Sequence, residues 1–100
     1  MNERLPFLQQ KTSRLTVSPG VYLMKNKDDE IIYIGKAKNL RNRVTSYFRN
    51  NPNHTPKVHQ MVENVHDYDF IVTDSESEAL ILECSLIKQH KPKYNILLKD

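Results

Sequence analysis

The sequence predicts a small α/β domain of the α+β kind, a three-stranded antiparallel sheet flanked by helices. Three observations predict it. Val21–Lys25 and Ile31–Ile34 are rich in branched and aromatic residues, and only a short polar loop separates them. Tyr68–Thr73 is a third such run. Around these runs, apolar residues recur at helical rather than alternating spacing.

The elements follow in order. Residues 3–15 predict a first helix, with Leu5, Leu8 and Leu15 on one side and Pro6 near its start. Ser18-Pro19-Gly20 breaks the chain. Asn26-Lys27-Asp28-Asp29 joins the first two strands as a hairpin. A loop of that length pairs Lys25 with Glu30 and, further along, Tyr22 with Tyr33. The two phenols then project from one sheet face, whereas a slip of one residue would separate them. After Gly35, a basic helix is predicted over about 39–49, because Leu40, Val44, Tyr47 and Phe48 follow the i, i+4, i+7, i+8 pattern. Residues 50–53 read as a loop. Thr55-Pro56 reads as an N-cap with proline at the first helical position, before a helix that buries Val58, Met61, Val62 and Val65. Asp74 closes the third strand, and Ser75 with Glu78 has capping-box spacing. The helix that follows ends at Lys91-Pro92. The tail 93–98 is expected to be extended and packed on the domain.

One hundred residues make one domain. No apolar run approaches the roughly 18 residues of a membrane span, and Met-Asn-Glu-Arg-Leu-Pro carries no apolar signal region. The single cysteine, Cys84, excludes an internal disulfide and reads as a small buried apolar residue. Residues 1–50 carry a charge of +6 and residues 51–100 a charge of −3. Lys36, Lys38, Arg41, Arg43 and Arg49 fall within fourteen residues, a basic stripe suited to a polyanion such as nucleic acid.

One acid stands out. On the helix after Ser75, Ala79, Leu80, Leu86 and Ile87 fall on one face, with Glu83 in its middle. An unpaired charge facing the domain is costly, so Glu83 calls for a cation, a metal or a set of donors. Common catalytic motifs are missing: there is no G-x-S-x-G, no phosphate-binding G-x-x-x-x-G-K-[ST] and no C-x-x-C. The histidines at 54, 59, 66 and 90 form no ligand pair and read as surface or structural residues. What remains is a polar set framed by apolar residues: Tyr22, Tyr33, Lys36, Arg43, Tyr47, Glu83 and Asn95. Singly, each but Glu83 has an ordinary structural explanation.

Together they resemble the GIY-YIG nuclease superfamily. Gly20-Val21-Tyr22 and Tyr33-Ile34-Gly35 match its two triplets, with Val21 in place of isoleucine. The blocks Ser18–Lys25, Tyr33–Phe48 and Glu78–Lys88, with Lys91–Asn95, are similar to the N-terminal domain of the UvrC excision nucleases. The resemblance implies a GIY-YIG fold, a cytoplasmic repair enzyme and a cut on the 3′ side of a DNA lesion. It implies that the chain is a fragment of a longer protein, whose UvrB-docking region, second nuclease domain and helix-hairpin-helix units lie elsewhere. The expected partners are damaged double-stranded DNA and the UvrB–DNA complex.

The resemblance assigns one divalent cation, Mg²⁺ with Mn²⁺ as substitute, to Glu83. A single carboxylate suffices when waters and phosphate complete the octahedron. Tyr33 is expected to be the general base, with Lys36 or Arg43 favouring its phenolate. Arg43 is expected to neutralise the scissile phosphate, Tyr22 to orient water or share the base role, and Tyr47 and Asn95 to position phosphate or water. Lys36, Lys38, Arg41, Arg43 and Arg49 are the expected DNA contacts. The alternatives are another GIY-YIG enzyme, homing or structure-specific, and a catalytically silent binding module. Glu83 argues against the last, since a binder has no use for it.

Overall fold

Local signals start and stop most elements of the computed structural model, which describes residues 2–50 and 53–97. Pro6 stands in the first turn of α1 (Leu5–Ser13). Asn39 caps α2 (Leu40–Tyr47), its side chain accepting from the Asn42 N–H. Thr55 caps α3 (Pro56–Glu63), with proline in the first turn. Ser75 caps α4 (Glu76–His90) by accepting from the Glu78 N–H. The reciprocal half of that capping box is displaced: Glu78 Oε2 accepts from Asp74 N at 3.4 Å instead. Lys91, in left-handed conformation at φ 46°, ends α4. The tail after Pro92 differs from expectation. It is a short helix, α5 (Lys93–Leu97), that packs on the second strand. Asn51, Pro52 and Leu98, parts of the predicted loop and tail, lie outside the described residues.

The sheet has the order β2-β1-β3 and is antiparallel throughout. Its strands are β1 (Gly20–Lys25), β2 (Ile31–Ala37) and β3 (Asp67–Val72). β2 runs on through Gly35 and Lys36, three residues beyond the predicted strand. The predicted pairing is corrected by two residues. Tyr22 pairs with Gly35 and Met24 with Tyr33, and the register shifts between Met24 and Lys25. The hairpin closes as Asn26 N–H to Glu30 O at 3.0 Å, with Asn26 Oδ1 accepting from Asp28 and Glu30. A shift of two preserves side-chain parity, so Tyr22 and Tyr33 still share a face, now as diagonal neighbours.

Two apolar layers enclose the sheet. On one face Tyr22, Met24 and Tyr68 pack with Leu8, Leu40, Val44, Phe48, Met61 and Val65 from α1, α2, α3 and the segment after α3. On the other, Val21, Leu23 and Ile34 meet Ala79, Leu82, Leu86 and Ile87 of α4. Leu80 is 45% exposed and lies off that face, and Cys84 is exposed rather than buried. Gly20 is required where β3 passes: a Cβ there would lie 2.8 Å from Leu40 Cδ1 and closer still to the Ile71 carbonyl oxygen. Among the described residues no helix is long and apolar enough to cross a membrane.

Candidate active site

A groove of about 580 Å³ opens at the β2 edge, between α2 and α4. Tyr22, Tyr33, Gly35, Lys36, Lys38, Arg43 and Glu83 line it, with Ala37, Asn39, Asn42 and Ser46. β1 and β2 supply the phenols, α2 the arginine and α4 the acid. Gly35 makes the floor possible. A Cβ there would lie 2.8 Å from Tyr22 Cε2 and closer still to Cζ and the hydroxyl, so the Tyr22 ring occupies the space a side chain would take.

Three phenols meet here. Ring centroids lie 6.2 Å apart for Tyr22–Tyr33, 5.7 Å for Tyr22–Tyr47 and 6.4 Å for Tyr33–Tyr47. The Tyr22 and Tyr47 hydroxyls share a 2.7 Å hydrogen bond, and both residues are buried. Tyr33 is only half-buried and lines the groove directly. Tyr47 contributes through Tyr22 rather than to the groove wall. His54 packs 6.0 Å from the Tyr47 ring, and its Nε2 meets the Ser46 carbonyl at 3.0 Å, which supports a structural role for that histidine.

Burial dominates the electrostatics of the phenols. Desolvation pushes the Tyr22 hydroxyl well above the ordinary phenol range, and Tyr47 and Tyr33 add to the lift. Tyr33 is raised in the same direction, by desolvation first and then by Tyr47, with Glu83 adding a smaller lift. Arg43 acts in the expected direction and lowers Tyr33, but burial outweighs it. The phenolate that a base requires is therefore scarce in the free domain, contrary to the expectation from the nearby cations. The Arg43 guanidinium sits 5.7 Å from the Tyr47 ring centroid and interacts with the Tyr22 hydroxyl, which raises its own pKa.

Glu83 lies between Ala79 and Ile87 on the α4 face that packs on the sheet, as its spacing predicts, but it is half-exposed, because it lines the groove. Among the described residues it accepts no hydrogen bond and pairs with no cation. Lys36 Nζ lies 3.8 Å from Glu76 Oε1, a loose surface pair that leaves its charge at the groove.

Asn95 does not line the groove. Its Oδ1 accepts from Ile34 N at 2.8 Å, and its Nδ2 donates to Ile34 O at 2.8 Å. The amide acts as a short extra strand that braces β2 between the two residues bearing the site, Tyr33 and Gly35. Two cations of the stripe also point elsewhere. Arg41 Nε donates to Leu15 O at 2.7 Å, tying α2 to the end of α1. Arg49 lines recesses on the α1 and α3 sides. Lys36, Lys38 and Arg43 are the members that the groove gathers. Asn39, Asn42 and Ser46 were not anticipated. Asn42 and Ser46 follow from helical spacing, four apart on the flank of α2 that carries Arg43. The start of α2 is sealed, since Leu40 N–H bonds Ser18 O and Arg41 N–H bonds Thr16 O. A phosphate in the groove must meet side chains instead of the helix end.

Known proteins share this fold. The family described as the UvrC-like GIY-YIG domain matches residues 18–96. Among curated relatives, the UvrABC system protein C of Caldanaerobacter subterraneus subsp. tengcongensis is 59% identical over 93 residues, 93% of this chain and 15% of that protein. The UvrABC system protein C of Clostridium tetani is 63% identical over 86 residues, 86% of this chain and 14% of that protein. The chain thus spans about 15% of the length of these relatives. A solved structure, the GIY-YIG N-terminal endonuclease domain of UvrC from Thermotoga maritima bound to its catalytic divalent cation, magnesium, superposes with a TM-score of 0.78. It is 45% identical, and the match covers 94% of this chain and 98% of that one. With its triplets on adjacent strands, its phenols and arginine in one groove and nearly its whole length matched, the chain belongs to the UvrC-like GIY-YIG domain family.

Proposed function

We propose that the chain is a DNA endonuclease domain that hydrolyses a phosphodiester bond on the 3′ side of a lesion in nucleotide excision repair. It acts with one divalent cation, Mg²⁺ or Mn²⁺, on damaged duplex DNA presented by UvrB. The observation that carries this reading is the convergence of Tyr33, Arg43, Lys36 and Glu83 on one groove at the β2 edge.

The residues fit the cation. Glu83 offers hard carboxylate oxygens without a protein partner, in a groove wide enough for water. No cluster of three acidic, histidine or cysteine ligands exists among the described residues. That matches Mg²⁺, which keeps several waters and takes one or two carboxylates with substrate phosphate. When bound, the cation supplies Lewis-acid charge at the phosphate and leaving oxygen.

The chain's own groups do the rest. Arg43 and Lys36 neutralise the scissile phosphate, Arg43 through its planar fork of donors. Tyr33, as its phenolate, takes the proton of the attacking water, because it is the more exposed of the two phenols that line the groove, whereas Tyr22 is buried against Tyr47. Tyr22 and Tyr47 fix the ring of Tyr33 from the core side. The lift that Glu83 exerts on Tyr33 falls once the carboxylate is neutralised, which moves the phenol towards its working state. Asn95 positions Tyr33 through the backbone of β2. The test is single-turnover 3′ incision of a lesion-bearing duplex by the full-length protein. Tyr33→Phe and Glu83→Gln are expected to abolish incision while leaving DNA binding in place. Normal incision by either variant would overturn the reading.

A further inference from the structure

The two edges of the sheet are treated differently. At β2, Asn95 covers the outward backbone groups of Ile34. At β3, Thr73 N–H bonds Pro19 O, which fixes that pair as hydrogen-bonded. Alternation along an antiparallel ladder then turns the N–H and C=O groups of Ile71 and Asp69 inward, and those of Val72, Phe70 and Tyr68 outward. Tyr68 is covered: its N–H bonds Asp67 Oδ1 at 2.8 Å, and its carbonyl accepts from Lys11 Nζ at 2.5 Å. No side chain among the described residues covers Phe70 or Val72.

The uncovered stretch is also apolar. Phe70, Ile71 and Val72 are 42%, 40% and 51% exposed. α4 packs on β1 and β2 and leaves the back of β3 open. A bare apolar edge is an aggregation hazard that proteins normally blunt, as Lys11 and Asp67 do one residue pair away. Beside it lies a cleft of about 480 Å³, on the edge opposite the nuclease groove. Phe7 and Phe70, both about two-fifths exposed, line it with Tyr68, Lys11 and Arg14. Among the described residues no carboxylate lines it. Arg4 stacks on Phe7 at 3.9 Å, so the rim is cationic on that side as well. Lys11 is held by Asp67, whereas the Arg14 guanidinium has no partner among the described residues.

We propose that the β3 edge is a strand-addition site for an extended segment of a partner protein whose residues alternate between apolar and acidic. Its backbone would complete the ladder at Phe70 and Val72, one apolar side chain would enter the cleft between Phe7 and Phe70, and a carboxylate would meet Arg14. The free groups alternate N–H and C=O at strand spacing, which an extended polypeptide matches with acceptors and donors, whereas the phosphates of a nucleic acid strand only accept. The positive, acid-free cleft selects the acidic pattern.

The test is a random-peptide display library selected on the protein, followed by titration of the enriched peptide in synthetic form. Two variants probe the mode. Val72→Pro removes an outward N–H that the ladder does not use, which an edge strand tolerates. Arg14→Glu reverses the exposed charge and keeps the fold if the proline variant does not. Enriched peptides should alternate apolar and acidic residues, protect the Phe70 and Val72 amides from exchange, and bind each folded variant about tenfold or more weakly, a loss of about 1.4 kcal/mol. Incision and DNA binding should be unchanged in both, which separates failure here from failure of the nuclease reading. Absence of enrichment over an unrelated domain, peptides lacking the pattern, or equal binding to wild type and Arg14→Glu would overturn the proposal. So would concentration-dependent dimerisation lost in Val72→Pro, which would make a second copy the occupant.

Discussion

Gly35→Ala tests whether the glycine of the second triplet exists to seat a tyrosine. No glycine in the described chain has positive φ, so alanine is conformationally allowed at this position and the cost is steric. The new methyl carbon would lie 2.8 Å from Tyr22 Cε2 and closer to Cζ and the hydroxyl. The Tyr22 ring is 1% exposed, and its hydroxyl is tied to Tyr47 at 2.7 Å, so it cannot swing into solvent. Overpacking of this kind costs about 1–3 kcal/mol. Alanine restores about 0.4–1 kcal/mol by restricting the unfolded chain. Three overlaps on a ring that cannot move put the cost in the upper part of that range, so the net loss is about 1–2.5 kcal/mol, which lowers Tm by roughly 4–20 °C for a domain of this size. Incision should fall more than stability does, because any tilt of Tyr22 breaks its bond to Tyr47 and shifts Tyr33. Thermal unfolding by circular dichroism and single-turnover incision measure the two. Tyr22→Leu should remove most of the penalty of Gly35→Ala in a double-mutant cycle, whereas Tyr22→Phe should not, since Cζ remains in the way. An alanine variant with wild-type Tm and full incision would refute the steric account.

Further outcomes follow from the same geometry. Incision rate should keep rising with pH beyond the ordinary phenol value of about 10, and Tyr33→Phe should abolish that limb in any residual activity while Arg43→Ala keeps it at a lower rate. Both Tyr22 and Tyr33 have raised folded-state pKa values, so the folded protein holds their protons more tightly than the unfolded chain. Their stabilising contribution is complete below about pH 10 and is lost as pH rises above it, which urea titrations across that range will register. Asn95→Ala should leave the hydroxyl of Tyr33 in place chemically yet lower both Tm and incision, because two backbone groups of Ile34 lose their partners at about 1 kcal/mol each. Arg41→Ala and Arg49→Ala should change the salt dependence of DNA binding less than Lys36→Ala, Lys38→Ala or Arg43→Ala, each of which should lower the slope of log K against log salt by about 0.9.

Much of the scaffold is written in local signals. Leu40, Val44, Tyr47 and Phe48 specify α2 and its buried face, and the caps at Asn39, Thr55 and Ser75 each engage as spacing requires. The hairpin register is less legible, because the bulge before Lys25 depends on how Asn26 folds the turn back on Glu30. The pairing is two residues from the simple expectation, and the shared face of the phenols survives only because two is the period of a strand. The roles of Asn95, Arg41 and Arg49 are not local. Asn95 meets Ile34 across 61 residues, and Arg41 reaches a carbonyl 26 residues back. A basic residue that braces a helix and one that faces a phosphate look alike in sequence. Glu83 stood out by its place among the apolar residues of α4, and the structure adds what spacing alone does not carry: it opens on the groove without a partner among the described residues.

The claim on which the account rests is that Glu83 and Tyr33 belong to one cation-dependent site. Anomalous diffraction from a crystal soaked in Mn²⁺ tests it directly. A peak beside the Glu83 carboxylate, inside the groove that Tyr33 and Arg43 line and absent in Glu83→Gln, is the predicted result. A groove without a peak at saturating Mn²⁺, or a peak that persists in Glu83→Gln, would contradict it.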